Sequence, residues 1–148
     1  MKPVLQALLL ADHVYTDSET GKRIVAGIFH RIQYTKPVPP ERSEVGKVRV
    51  QVPITGHTAG SPFCYFCLTE VYGRQPFQLR LVNLKDESVL LRTEFTINCS
   101  DPLAVAEGVL GMPPFKIPEE PGTLALELLW NEEPIGSYRI IVEEKSQG

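Results

Sequence analysis

The sequence predicts an all-β protein, a two-sheet antiparallel β-sandwich of about seven to eight strands, immunoglobulin-like or jelly-roll-like. Three observations carry this expectation. Apolar residues recur two apart in one run after another, the spacing that gives a strand one apolar face. Thirteen prolines and eleven glycines gather between those runs, as in a domain of many short strands and turns. The stretch 122–144, GTLALELLWNEEPIGSYRIIVEE, reads as a hairpin with one apolar face, which is stable only when another sheet covers it.

The first element runs from Val4 to Thr16. Leu5, Ala7, Leu9 and Ala11 lie on one parity; Val4, Leu8, Leu10 and Val14 lie on the other. A strand apolar on both faces is expected at the centre of a sheet, covered on both sides. Asp17 to Lys22 is turn chemistry, with Gly21 free to take positive φ. Arg23 to Tyr34 then reads as one returning strand, with Ile24, Ala26, Ile28 and Ile32 inward and Arg23 and Arg31 outward.

A loop region over 35–62 follows, functional or partly mobile by its length. It opens on Lys36-Pro37-Val38-Pro39-Pro40, which cannot pair inside a sheet. Within it Val48, Val50 and Val52 alternate with Arg49 and Gln51, a short strand. Phe63 to Tyr72 is an aromatic-rich strand. Phe77, Leu79 and Leu81, a turn over Lys85 to Ser88, and then Val89, Leu91, Phe95 and Ile97 make a second hairpin with one wet face. Asp101 to Leu110 reads as a helical turn or an irregular strand, and any helix is confined to Pro102 to Leu110. Met112 to Pro121 holds four prolines and is expected as an extended crossover. In the last hairpin Leu124, Leu126, Leu128 and Trp130 should meet Tyr138, Ile140 and Val142 across a turn over Asn131 to Pro134.

A chain of 148 residues suits a single domain spanning 1–148. Net charge is −3, too balanced to steer toward nucleic acid or an anionic membrane. The apolar run Val4 to Ala11 is broken by Gln6, stops at Asp12 and lacks a small-x-small cleavage pattern, so it reads as structure rather than as a leader. No run approaches the ~20 apolar residues of a membrane helix. Three cysteines, an odd and low count, argue against a secreted disulfide framework. The expectation is a soluble, cytoplasmic protein.

Few constellations could carry chemistry. Cys64-Tyr65-Phe66-Cys67 has the C-x-x-C spacing, but on a strand positions i and i+3 face opposite ways, so the sulfurs would not meet. Adding His57 and Cys99 gives three sulfurs and a nitrogen for zinc, yet only one close pair exists and it lies on a strand. The expected outcome is three reduced cysteines, no metal and no cofactor. His13 and His30 fall on the first two strands and, with Asp12 nearby, could form an acid–base pair or a metal site, although strand histidines are more often half-buried and satisfied by a neighbouring backbone group. Asp17 and Glu19, and Asp86 and Glu87, are acidic turn clusters that read as solvated carboxylates before they read as calcium ligands. No nucleophile elbow, H-E-x-x-H or phosphate loop is present. No catalytic, metal-binding or cofactor-binding residue is assigned.

Four segments, ADHVYTDSETGKRIVAGIFHRI, SPFCYFCLTEVYG, PFQLRLVNL and GTLALELLWNEEPIGSYRIIVEE, resemble a family of small bacterial, planctomycete-type proteins that carries no assigned function. The resemblance covers most of the chain and is weakest over Thr35 to Ser61. It implies an all-β, sandwich-like domain and brings no catalytic residues. The functional expectation is therefore a non-catalytic β-sandwich module for protein–protein or self-association. The alternatives are a small-ligand or carbohydrate binder, or an enzyme using His13, His30 and the 35–62 loop.

Overall fold

A computed structural model describes residues 2–34, 62–113, 115, 117–118 and 120–145. Among them there is no helix, and nine strands are present: β1 Val4–Thr16, β2 Arg23–Ile28, β3 Arg31–Tyr34, β4 Phe63–Thr69, β5 Gly73–Asn83, β6 Ser88–Cys99, β7 Ala106–Gly111, β8 Gly122–Trp130 and β9 Glu133–Glu144. They form two sheets. Sheet A has the order β2-β1-β4-β7 and sheet B the order β3-β9-β8-β5-β6. All neighbours are antiparallel except β3 and β9, which run parallel. Nine strands among the described residues, one pair of them parallel, correct the expectation of about seven to eight strands in two antiparallel sheets.

The extra strand comes from the stretch expected as one strand over Arg23 to Tyr34. Gly27 takes φ +76°, which no other residue type adopts without strain. Phe29 then turns into the core, and the chain leaves sheet A as β2 to enter sheet B as β3. Ile32 is buried as expected, but Ile24 is 37% and Ile28 51% exposed, because β2 pairs with its isoleucines on the side of β1 away from sheet B. The segment 101–110 settles as a turn followed by strand β7, with no helix. The described residues of the proline-rich crossover lie outside any strand and lead from β7 of sheet A to β8 of sheet B. The strand expected around Val50, like most of the 35–62 loop, lies outside the described residues.

One core receives side chains from both sheets. Leu10, Cys64, Phe66 and Leu68 come from sheet A; Phe77, Leu79, Leu81, Leu124, Leu126, Leu128, Ile140 and Val142 come from sheet B. Phe66 of β4 meets Phe95 of β6 at a ring distance of 5.0 Å, and Phe95 stacks on Phe77 of β5 at 5.7 Å. Glycines admit the closest approaches. A Cβ on Gly108 would run into the Phe66 ring, and one on Gly136 of β9 would run into Leu5 of β1.

Bulges re-aim several side chains. A register shift between Leu5 and Ala7 in the β1–β4 pairing puts Leu5 on the core side with Leu8 and Leu10. In β6 the shift opposite Leu81 and Val82 brings Leu90 and Leu91 against the core. Val89, expected inward, is left exposed, as an extra residue in one strand requires. A third shift lies between Leu128 and Leu129, and sheet B is curled into a half-barrel.

The last hairpin pairs as expected, with Leu124 opposite Ile140 and Leu126 opposite Tyr138. Its loop is shorter than expected. Trp130 pairs with Glu133, and only Asn131 and Glu132 are unpaired, at φ 53° and 65°. Two successive positive φ values define a type I′ turn, which favours Asn-Gly. Leu126→Ala and Ile140→Ala should each cost roughly 2 to 5 kcal/mol in denaturant titration, as deep truncations do. Glu132→Gly should stabilise the protein by about 1 kcal/mol, because it relieves a left-handed conformation at a non-glycine residue.

Candidate functional site

The residue pairs of sheet A define two faces. The core face carries Leu8, Leu10, Cys64, Phe66 and Leu110. On the opposite face β1 places Ala7, Leu9, Ala11, His13 and Tyr15. Register sets Ile28, Ala26 and Ile24 of β2 beside Ala11, His13 and Tyr15. On the other flank β4 sets Cys67, Tyr65 and Phe63 beside Ala7, Leu9 and Ala11, and β7 follows with Glu107, Val109 and Gly111. No described strand packs on this outer face, since all nine belong to the two sheets and sheet B shares the core on the other side.

Among the described residues the outer face is largely apolar, with the Glu107 carboxylate on β7 and the Arg23 charge both acting on Tyr65. Ala11 is fully buried although it lies outside the shared core; its small side chain sits between Ile28 and Phe63. Leu9, Phe63, Tyr65 and Val109 are half-buried. The Tyr65 hydroxyl donates to the Glu107 carboxylate, the one carboxylate of the face among the described residues. Partial burial, and next the Glu107 carboxylate, push the Tyr65 phenol up to about 12. Burial, then the Glu107 charge, also raise the Cys67 thiol.

The cysteines behave as a regular strand dictates. Cys64 is buried on the core face, and burial pushes its thiol up to about 12. Cys67 lies on the outer face, so the two are not a dithiol. Cys99 donates to the Asp101 carbonyl at 3.1 Å. No group of three metal-ligating side chains occurs among the described residues, and His57 lies outside them.

His13 and His30 are not brought together. His13 is exposed opposite Ala26 on β2, whereas His30 lies beyond the Gly27 break, where the chain passes to β3 of sheet B. His30 instead lies against Tyr138, with ring centroids 5.7 Å apart. The Tyr138 hydroxyl donates its one proton to the Phe29 carbonyl at 2.6 Å. Its 3.0 Å contact with His30 Nδ1 therefore requires the proton of that contact to sit on His30 Nδ1. This pair clasps the point where the chain changes sheets. Asp12 packs against Gly27, leaving no room there for a Cβ, and its Oδ1 is buried without a hydrogen-bond partner.

The aspartates of the two acidic turns are held within their own turns. Asp17 accepts from the Thr20 hydroxyl at 2.7 Å and from the Glu19 amide at 3.2 Å, with the Thr20 bond the first cause of its lowered pKa. Asp86 accepts from the Ser88 hydroxyl and amide, which lower its pKa in the same way. Both are side-chain turns of the Asx kind.

The outer face of sheet B differs from that of sheet A. It holds a depression of about 650 Å³ whose lining includes Gln78, Arg80, Arg92, Glu94 and Glu132. Arg80 stands opposite Arg92 and pairs with Glu127 at 2.7 Å. No family model matches the chain, and comparison with curated proteins returns no relative.

The outer face of sheet A was within reach of the sequence. Leu9 and Ala11 alternate against Leu8 and Leu10, and Phe63, Tyr65 and Cys67 against Cys64 and Phe66. The second apolar row was expected to be covered like the first.

Tyr138→Phe should lower stability by about 1 to 2 kcal/mol, the worth of its hydrogen bond, in denaturant titration. In native protein at about pH 8, a thiol reagent should leave Cys64 unmodified until the chain unfolds. The raised Cys64 pKa favours the neutral thiol in the folded state, so its stabilisation is complete below the unfolded value of 9.0 and is lost as pH rises toward about 12. Cys64→Ala should flatten the fall in stability over that window.

Proposed function

We propose that this chain is a non-catalytic β-sandwich module, immunoglobulin-like or jelly-roll-like in class, that docks onto a protein surface through the outer face of sheet A. One observation carries the reading: β1 and β4 each present a second apolar row, outside the core, and no described strand covers it. Contiguous apolar surface beyond a few hundred Å² marks an interaction site more often than a bare surface. The separation of His13 from His30, and the internal pairing of the turn carboxylates, lend no support to the acid–base or calcium readings. A reducing, cytoplasmic setting suits three free thiols, and the resemblance to small planctomycete-type proteins is compatible with such a module.

An apolar fluorescent dye tests the face directly. Dilute wild-type protein should bind the dye, and Leu9→Lys and Ile28→Lys should each lower the bound signal several-fold without loss of the strand signature in circular dichroism. Equal dye binding by folded variants would overturn the reading.

The second reading, a small-ligand or carbohydrate binder, draws on the polar depression of sheet B, where Gln78, Arg92 and Glu94 present planar hydrogen-bonding groups on a curled sheet. Sugar-induced chemical-shift changes confined to Gln78, Arg92 and Glu94, abolished by Arg92→Ala, would favour it.

A further inference from the structure

We propose that the occupant of the outer face of sheet A is a second copy of this chain, packed face to face about a two-fold axis. The proposal rests on the docking reading above and names the partner. Three properties of the face support it.

The first is charge. A two-fold interface sets a surface against itself, so every charge near the axis meets its own kind. Among the described residues Glu107 is the one carboxylate of the outer face and lies at its margin on the edge strand β7, already bonded to Tyr65, whose phenol also feels the Arg23 charge. The centre, Leu9, Ala11 and Phe63, carries no charge. The outer face of sheet B, with Arg80, Arg92, Glu94 and Glu127, would bury charges against themselves in the same arrangement.

The second is relief. Small and large residues alternate along and across the strands: Ala7, Ala11 and Ala26 leave recesses, while Leu9, Ile28 and Phe63 stand above them. A surface holding both knobs and recesses can interdigitate with its own copy, as the inner faces of packed sheets do.

The third is area. With strands about 4.8 Å apart and about 6.8 Å between successive outer residues, the face spans about 450 Å² in flat projection. Two such faces with side-chain relief bury on the order of 1,000 to 1,200 Å², the lower limit for a specific interface. That size suits a dimer that forms and dissociates with concentration, with a dissociation constant in the micromolar range.

Sedimentation velocity of the full chain, from about 1 to about 300 μM, is the test. The expected result is a monomer–dimer equilibrium that stops at two copies. Ile28→Lys should raise the dissociation constant at least about tenfold; its side chain is 51% exposed in the single chain, so folding is not at stake. Leu9→Lys, checked for folding by circular dichroism, should do the same, and Glu94→Lys on sheet B should leave the equilibrium unchanged. A wild-type chain monomeric throughout, a dimer indifferent to Ile28→Lys, or an open-ended series of larger species would each overturn the proposal. Dye binding separates the two levels of inference. A monomer whose dye signal falls in Ile28→Lys keeps the docking face and gives it a different protein as occupant. A monomer that binds no dye removes the docking reading too.

Discussion

Phe66 lies with its ring over Gly108 on one side and against Phe95 on the other, and the joining of the two sheets depends on that seat. The ring reaches from sheet A into the aromatic pair of β5 and β6. It does so because β7 offers no side chain beneath it. An alanine at 108 would displace a buried ring in a close-packed core, a change that costs typically 1 to 3 kcal/mol. Gly136 meets Leu5 by the same device at the β1–β9 contact. Two glycines thus set how near the sheets come, and the leucine rows of β5 and β8 fill the space that remains.

With the sheets joined on one side, sheet A carries on the other a second apolar row that no described strand covers. The two outer faces differ in chemistry. Sheet B turns outward a mixed face, on which the Arg80–Glu127 pair and the Gln33–Glu143 bond stand beside buried Val82, Ala125 and Leu129. Sheet A turns outward a row whose one carboxylate among the described residues, Glu107, accepts from Tyr65. Burying the first would require taking ion pairs out of water, whereas burying the second removes apolar area at about 25 cal/mol per Å².

Much of the fold was legible in the sequence because period-two patterning is a local signal. The β1–β2 hairpin, the β5–β6 hairpin and the β8–β9 rows are paired as that pattern predicts. What it could not show is set by single backbone conformations and long-range pairing. The break at Gly27 depends on one positive φ, and the parallel pairing of β3 with β9 joins residues more than a hundred positions apart. Val89 was displaced by a bulge that no alternation reveals. The candidate surface was half legible. The apolar character of Leu9 and Ala11 was plain, but whether another element covers them is a question of tertiary layering, which periodicity does not address.

Leu9 and Leu10 are adjacent on β1 and face opposite sides of sheet A, which makes them the most direct probe of a sheet with one structural and one docking face. The measurement is denaturant titration of Leu10→Ala and Leu9→Ala at a concentration low enough to keep the chain monomeric. Leu10, fully buried in the shared core, should cost roughly 2 to 5 kcal/mol, and Leu9 less than about 1 kcal/mol. Equal, large losses at both positions would contradict this division, since they would mean that the outer row is core within the single chain.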